Sequence, residues 1–198
     1  MVSSRARGAA AANEAQMHPF SRRAVLALPL FVAFAASADE DVTNTIVLKT
    51  KYGDIVIRLR PDLASKHVTQ IQKLVKKKFY DGVVFHRVIP GFMAQTGDPT
   101  GTGAGGSDLP NIPAEFSKET FKRGTVGMAR SSDPDSANSQ FFICFGDASF
   151  LDGKYTIVGE VVSGMDIVDK LKAGTQANNG KVDHPDKIES IRFAPDAK

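Results

Sequence analysis

The sequence has little cysteine and little excess charge, and both shortages restrict what the protein can do. Its 198 residues contain one cysteine, Cys144, which excludes an intramolecular disulfide and a cysteine-based metal site. Cys144 lies in the apolar run 141–145, where we expect a buried, unreactive thiol. Lys plus Arg number 25 against 22 for Asp plus Glu, so the charge excess is small.

The first 38 residues differ in composition from the rest of the chain. They hold four arginines and one glutamate, followed by an apolar run over 24–36 that ends in Ala36-Ser37-Ala38. This pattern predicts a cleavable signal peptide over 1–38, with residues 39–198 forming one domain. A membrane anchor is the alternative, but thirteen apolar residues interrupted by Pro29 fall short of the roughly 20 that span a bilayer.

Cleavage after Ala38 would leave 21 basic and 21 acidic residues, so the mature chain would be neutral. Neutrality gives no reason to expect nucleic acid or a stably bound membrane as a partner. We expect a monomer in a bacterial periplasm, with a eukaryotic secretory compartment or a thylakoid lumen as alternatives. Ser21-Arg22-Arg23 suits both twin-arginine and general secretory export, and Met17 is a possible second start, so route and start stay open.

Short strand patterns dominate the remainder. Residues 45–50 and 54–59 flank Lys51-Tyr52-Gly53 as a hairpin, and further strands are predicted over 124–130, 139–145, 155–161 and 187–193. Helical spacing of apolar residues runs from Pro61 to Lys78 and recurs over 165–173. Seven or eight strands with two helices favour a mainly β fold, an antiparallel barrel capped by helices, over a parallel nucleotide-binding sheet.

The signatures of nucleotide binding and hydrolysis are incomplete. Residues 101–106 satisfy G-x-G-x-x-G, but Pro110 and Pro113 exclude the helix that a phosphate site requires next, so the segment predicts a tight surface turn. His67 and His184 are expected at the surface, and strand alternation sends His86 to the face opposite its neighbour. We expect no hydrolytic triad, no metal and no cofactor.

An isolated arginine marks the most informative segment, residues 85–95. Arg87 stands in an apolar run, and a guanidinium serves better as a fixed hydrogen-bond donor than as a proton shuttle. A core-facing strand with a snorkelling arginine is the alternative. Alternation places four side chains on two strand faces, Met93 with Gln95 and Gln140 with Phe142. Together with the arginine they would form an apolar pocket with polar edges, which suits a proline in an extended peptide.

Four motifs, in this order, resemble the cyclophilins, a family of peptidyl-prolyl cis-trans isomerases. They are FHRVIPGFMAQ over 85–95, GDPTGTG over 97–103, SQFFI over 139–143 and LDGK over 151–154. The resemblance spans residues 45–193. It implies a closed eight-stranded antiparallel β-barrel with a helix at each end. It also implies an isomerase that rotates X-Pro bonds in unfolded or extended polypeptides, without a cofactor, and so assists folding of exported proteins.

The resemblance assigns roles to residues of this chain. Arg87 would be the catalytic arginine, oriented by Gln95. The substrate site would comprise Phe92, Met93, Ala129, Arg130, Gln140, Phe142, Phe150, Leu151 and Tyr155.

Three of these positions depart from common members of the family. Phe150 and Tyr155 stand where many members carry tryptophan and histidine, which keeps the pocket apolar. Phenylalanine lacks the indole donor, which argues against strong inhibition by cyclosporin. Arg130 replaces a common asparagine, a change expected to tune sequence preference. A non-catalytic proline-binding module and a general chaperone for exported chains are the alternatives to an isomerase.

Overall fold

Antiparallel strands and two short helices make up the structure, a computed structural model that describes residues 43–194. The predicted signal peptide and its cleavage site lie outside these residues. The strands are β1 (Thr45–Thr50), β2 (Gly53–Leu59), β3 (Arg87–Ile89), β4 (Met93–Thr96), β5 (Thr125–Met128), β6 (Phe141–Cys144), β7 (Ile157–Ser163) and β8 (Ser190–Phe193). The α-helices are α1 (Ser65–Lys76) and α2 (Met165–Val168), and 3-10 turns span Pro134–Ser136, Ser149–Leu151 and Gln176–Asn178.

The strands form one antiparallel sheet in the order β3-β4-β6-β5-β7-β2-β1-β8. The sheet curls around a core of aliphatic and aromatic side chains, with α1 packed against β8 and α2 against β2. The predicted hairpin at Lys51-Tyr52-Gly53 is confirmed, because Thr50 pairs with Gly53 and the register continues to Thr45 with Arg58. Among the described residues, no helix is both long and apolar enough to cross a membrane.

The predicted closure of the barrel is not supported. The edge strands β3 and β8 share no ladder, and between them Val84 and Lys187 make an isolated bridge. Separate backbone bonds cross the gap, including Gly82 N–H to the Ile188 carbonyl at 2.8 Å. A continuous ladder cannot form there, because Pro185 has no N–H and His184 adopts a left-handed φ of 53°. The sheet is therefore an open, curled half-barrel.

The second helix is shorter than predicted, ending at Val168 instead of Ala173. Two backbone N–H groups beyond it have acceptors outside the helix. The Lys172 N–H donates to an Asp186 carboxylate oxygen at 2.8 Å, and the Gly174 N–H donates to the Val88 carbonyl at 3.0 Å. Apolar periodicity in 165–173 indicated a buried face correctly, but tertiary partners took the hydrogen bonds that a longer helix needs.

Candidate active site

A cavity of about 560 Å³ opens where β3, β4 and β6 lie side by side. The strand register explains why residues distant in sequence meet there: Arg87 opposes Gln95, and Gln95 opposes Phe142. Directly opposed residues project from the same face of a sheet. Ten of the eleven predicted site residues line the cavity: Arg87, Phe92, Met93, Gln95, Ala129, Arg130, Phe142, Phe150, Leu151 and Tyr155.

Gln140, the eleventh, was expected in the same groove but lines a neighbouring cavity of about 510 Å³. It lies just before β6, so its side chain is outside the register that aligns Gln95 with Phe142. The two cavities share Gln95, Gly103, Ala129 and Arg130 as a common wall. The candidate site is therefore a groove with two adjoining compartments, called here the main cavity and the second cavity.

The floor of the main cavity is a small apolar cluster separate from the central core. Met93, Phe142 and Leu151 are buried in it, and Phe121 stacks behind Phe142 with ring centroids 5.9 Å apart. Gly127 makes this stack possible, since a Cβ at that position would lie 2.5 Å from the Phe142 ring. Phe150 contrasts with this rigid floor, because it is 60% exposed at the rim. The arrangement offers a dry apolar surface to one side of a small ring.

Arg87 is held at the cavity by three neutral acceptors. Its Nη1 donates to Gln95 Oε1 at 3.2 Å, its Nε to the Asn179 carbonyl at 3.0 Å and its Nη2 to Asn179 Oδ1 at 2.9 Å. Burial lowers the pKa of Arg87, yet a guanidinium remains protonated at neutral pH. These bonds use three of its five N–H groups, so two remain for a ligand. No carboxylate among residues 43–194 forms an ion pair with it.

Asn179 was missed by the sequence analysis. It is 92 positions from Arg87 and reaches the site in a left-handed conformation, with φ of 57°, just before Gly180. Asparagine tolerates that conformation better than most residues, so Asn178-Asn179-Gly180 is a readable turn signal. The turn could be predicted from sequence, whereas its contact with Arg87 could not.

A relay of side-chain amides connects Arg87 to the glycine-rich loop, residues 101–106. Gln95 accepts from Arg87 with its oxygen and donates through Nε2 to Gln140 Oε1 at 2.9 Å. Gln140 Nε2 in turn donates to the Gly103 and Gly105 carbonyls at 3.0 and 2.7 Å. Each amide thus has a fixed orientation, because flipping either one would place donor against donor. The predicted orienting partner, Gln95, is itself oriented by Gln140.

The glycine-rich loop is the predicted surface turn, and no helix follows it before β5. The buried Asp98 carboxylate organises this loop by accepting backbone N–H bonds from Thr100, Gly103 and Gly105. Burial alone would raise the pKa of Asp98, but these donors outweigh it and hold the pKa at about 2. A permanently charged Asp98 therefore fixes the loop that closes one side of both cavities.

Two histidine predictions are wrong. His67, expected at the surface, is fully buried in the first turn of α1, with Nδ1 2.7 Å from Glu115 Oε2. His86, expected on the face opposite Arg87, lines the main cavity beneath Gly103. Alternation does not apply to His86 because β3 begins only at Arg87. Burial lowers the pKa of both rings. The exposed position of His184 is as predicted.

Cysteine chemistry and metal binding have little support within residues 43–194. Cys144 is buried as predicted, and burial raises the pKa of its thiol to about 12, so it is not a thiolate at neutral pH. Within residues 43–194, no three His, Cys, Asp or Glu side chains are grouped closely enough to hold a metal ion. The chemistry of the main cavity thus centres on a fixed cation above an apolar floor.

Comparison with known families identifies this arrangement. The model for the cyclophilin type peptidyl-prolyl cis-trans isomerase/CLD family matches residues 45–193. The chain belongs to the cyclophilins. A probable peptidyl-prolyl cis-trans isomerase of Brucella suis biovar 1 is 56% identical over 192 residues, covering 89% of this cyclophilin and 98% of the relative. Peptidyl-prolyl cis-trans isomerase cypE of Dictyostelium discoideum is 43% identical over 142 residues, covering 70% and 90%.

Solved structures place the fold in the same family. The cyclophilin AquaCyp293 of Hirschia baltica superposes with a TM-score of 0.71 at 28% identity, covering 80% of this cyclophilin and 76% of that chain. A cyclophilin type isomerase of Cryptosporidium parvum, crystallised in the presence of the dipeptide Ala-Pro, gives 0.69 at 28% identity, covering 75% and 98%. This cyclophilin is thus a peptidyl-prolyl cis-trans isomerase.

Proposed function

We propose that this cyclophilin isomerises X-Pro bonds in its main cavity, with Arg87 as the catalytic hydrogen-bond donor. The observation that carries the proposal is a guanidinium bound only by neutral acceptors, with unused N–H groups, at the edge of an apolar floor. The proline ring would rest on Met93, Phe142 and Leu151. The Cryptosporidium parvum relative was crystallised in the presence of the dipeptide Ala-Pro, which contains such a ring.

The mechanism follows from what rotation does to the amide. Rotation about an X-Pro bond crosses a barrier of about 18–20 kcal/mol because it breaks resonance between nitrogen and carbonyl. The twisted nitrogen regains its lone pair and becomes a hydrogen-bond acceptor, which the planar nitrogen is not. A donor aimed at that nitrogen stabilises the transition state alone, which is the requirement for raising kcat.

Arg87 suits this task because its partners fix it before the substrate binds. A charge-assisted hydrogen bond contributes about 1.5–3 kcal/mol, or roughly ten- to hundredfold in rate. The remaining acceleration would come from gripping the proline ring on the apolar floor and from excluding the water that stabilises the planar, polar amide. Gln95 would act as a positioning residue, since it accepts a hydrogen bond from Arg87.

We also propose that the clients are exported polypeptides. Residues 1–38 carry the pattern of a cleavable signal, and the fold described over 43–194 has a groove that would suit an extended chain. The enzyme would work as a periplasmic monomer and speed the proline-limited folding of newly exported proteins. A mature chain beginning at Asp39 in a periplasmic fraction supports this location, whereas an intact chain retained in the cytoplasm contradicts it.

Refolding of a protein with a slow proline-limited phase separates an isomerase from its alternatives. We expect the wild type to accelerate that phase at catalytic concentration and Arg87→Ala to lose most of the acceleration while keeping its fold. If the protein were only a binding module, neither the wild type nor Arg87→Ala would accelerate the proline-limited phase. A general chaperone would suppress aggregation equally well in both proteins, and finding this without any acceleration would contradict the proposal.

A further inference from the structure

The side chains that line the groove carry an excess of positive charge. Three cations, Arg87, Arg130 and Lys181, line the main cavity, and Arg130 lines the second cavity as well. Neither set of lining residues contains an aspartate or a glutamate. This asymmetry is local, because residues 39–198 together hold equal numbers of basic and acidic side chains.

Three of the four arginines that residues 43–194 hold outside the groove are ion-paired. Arg60, Arg123 and Arg192 each place a guanidinium nitrogen 2.7 Å from an aspartate oxygen. Arg87 and Arg130 form no ion pair with any acid in residues 43–194. The groove thus keeps two arginine charges free for a ligand.

Arg130 is fixed in place by contacts that leave its charge intact. Its Nη1 donates to the Ser131 carbonyl and its Nη2 to the Lys154 carbonyl, both at 2.9 Å. The guanidinium also lies over the Tyr155 ring, 4.3 Å from the centroid. Carbonyl dipoles and an aromatic face hold a cation without cancelling its charge. The result is a half-buried, pre-positioned cation on the wall between the two cavities.

Asp98, three residues from Gln95, accepts three backbone N–H groups behind the glycine-rich loop. Acids that follow Arg130 and Leu151 in the sequence also accept backbone N–H groups. Asp133 accepts from the Asp135 N–H at 2.9 Å, and Asp135 accepts from the Ala114 N–H at 2.8 Å. Asp152, on the other flank, accepts from the Phe121 N–H at 2.8 Å. None of these four acids lines either cavity.

Strand spacing shows which part of a bound peptide would meet these cations. A proline on Met93 and Phe142 lies over β4 and β6, and Arg130 follows β5, the neighbour of β6. Adjacent strands are about 4.8 Å apart and an extended peptide advances about 3.3 Å per residue. Arg130 would therefore meet a side chain one or two residues from the proline. Lys181 forms an isolated antiparallel backbone bridge with Arg87 at the outer edge of β3. It would therefore meet residues of the peptide on the other side of the proline from Arg130.

We propose that this cyclophilin prefers X-Pro segments with aspartate or glutamate within two residues of the proline, and that Arg130 determines this preference. The inference rests on the proposed function, since it requires the peptide to occupy the main cavity. Lys181 adds a second, weaker attraction because it is exposed to solvent. A half-buried arginine is expected to favour the acidic peptide about three- to tenfold in kcat/KM.

The test uses proline tetrapeptides that differ only in having Glu, Gln or Lys at one position beside the proline. For the wild type we expect kcat/KM to rank Glu above Gln above Lys, and the Glu to Gln ratio to shrink at high salt. Arg130→Gln should bring that ratio close to one, whereas Arg130→Lys should retain part of it. Arg58→Gln is the matched control. Arg58 is exposed on β2 and lines neither cavity, and its substitution changes the net charge by the same amount as Arg130→Gln.

Four outcomes would overturn the proposal. A wild type that treats the Glu and Gln peptides equally, or a ratio unchanged in Arg130→Gln, refutes the specificity alone while leaving isomerase activity in place. A ratio that falls as much in Arg58→Gln attributes the preference to overall charge and not to the groove. A wild type that accelerates no peptide would overturn both this proposal and the proposed function.

Discussion

Mild acidification should destabilise this cyclophilin, and the reason lies at the start of α1. The N-cap residue, Ala64, has no side-chain oxygen to accept a hydrogen bond from the helix. Glu115, from a distant loop, takes that role by accepting hydrogen bonds from the Lys66 and His67 N–H groups, each at 3.1 Å. The same carboxylate contacts His67 Nδ1, while His67 Nε2 is buried without a partner. Protonation would place a new N–H donor at Nε2 with nothing to receive it.

The direction of the pH effect follows from the pKa of His67. Burial lowers it, and the opposing hydrogen bond to Glu115 does not compensate. An unfolded histidine binds its proton near pH 6.5, so below that pH the unfolded state holds more protons than the folded state. The free energy of unfolding should then fall by up to about 1.4 kcal/mol per pH unit until folded His67 also protonates. Burial lowers the pKa of His86 as well, so the two could together double this slope.

Urea unfolding at pH 7.5, 6.5 and 5.5 measures the slope. His67→Asn places an amide donor where Nδ1 stands and cannot titrate, so its slope should be about half that of the wild type. His184→Asn is the matched control, because His184 is exposed and its φ of 53° suits asparagine. A stability that is constant or rises towards pH 5.5, or a His67→Asn slope equal to the wild-type slope, would refute the reasoning.

Three substitutions test the geometry of the groove. Gln140→Leu removes the hydrogen bonds to Gln95 and to two loop carbonyls, so the free energy of unfolding in urea should fall by about 1–3 kcal/mol and kcat should fall with it. An unchanged kcat would contradict the claim that Gln140 positions Arg87 through Gln95. Asn179→Gly keeps the left-handed φ but removes one acceptor from Arg87, and kcat should drop by about fivefold at most, with KM nearly constant. Leu151→Ala opens the apolar floor and should raise KM for a proline peptide, with a stability loss of about 2 kcal/mol; a constant KM would show that the ring binds elsewhere.

How far the sequence predicts this molecule depends on whether a feature is local. The β1-β2 hairpin and α1 follow from turn residues and apolar spacing within a dozen positions. Arg87, Gln95 and Phe142 could be brought together from motif resemblance, and alternation on β4 and β6 agreed with it. By contrast, Asn179 reaches Arg87 only through the tertiary fold. The sequence Asn178-Asn179-Gly180 predicts a turn but does not indicate which residues that turn contacts.

Two of the wrong predictions, the surface position of His67 and the length of α2, share a physical cause, which is competition from partners distant in sequence. His67 has the local setting of a surface residue, but Glu115 supplies a buried hydrogen bond and the helix cap together. Helix α2 stops early because Asp186 and the Val88 carbonyl bind the N–H groups beyond it. Periodicity reports which face is buried and carries no information about such acceptors.

The central claim is that Arg87 donates a hydrogen bond that strengthens as the X-Pro bond twists. Exchange NMR on a short X-Pro peptide measures cis-trans interconversion directly, without a coupling protease. We predict that Arg87→Ala lowers kcat/KM about ten- to hundredfold while its near-ultraviolet circular dichroism matches the wild type. Arg87→Lys, which keeps the charge but lacks the planar guanidinium that makes all three bonds to Gln95 and Asn179 and leaves two donors free, should recover little of the loss. A folded Arg87→Ala protein within twofold of the wild-type rate would contradict the claim.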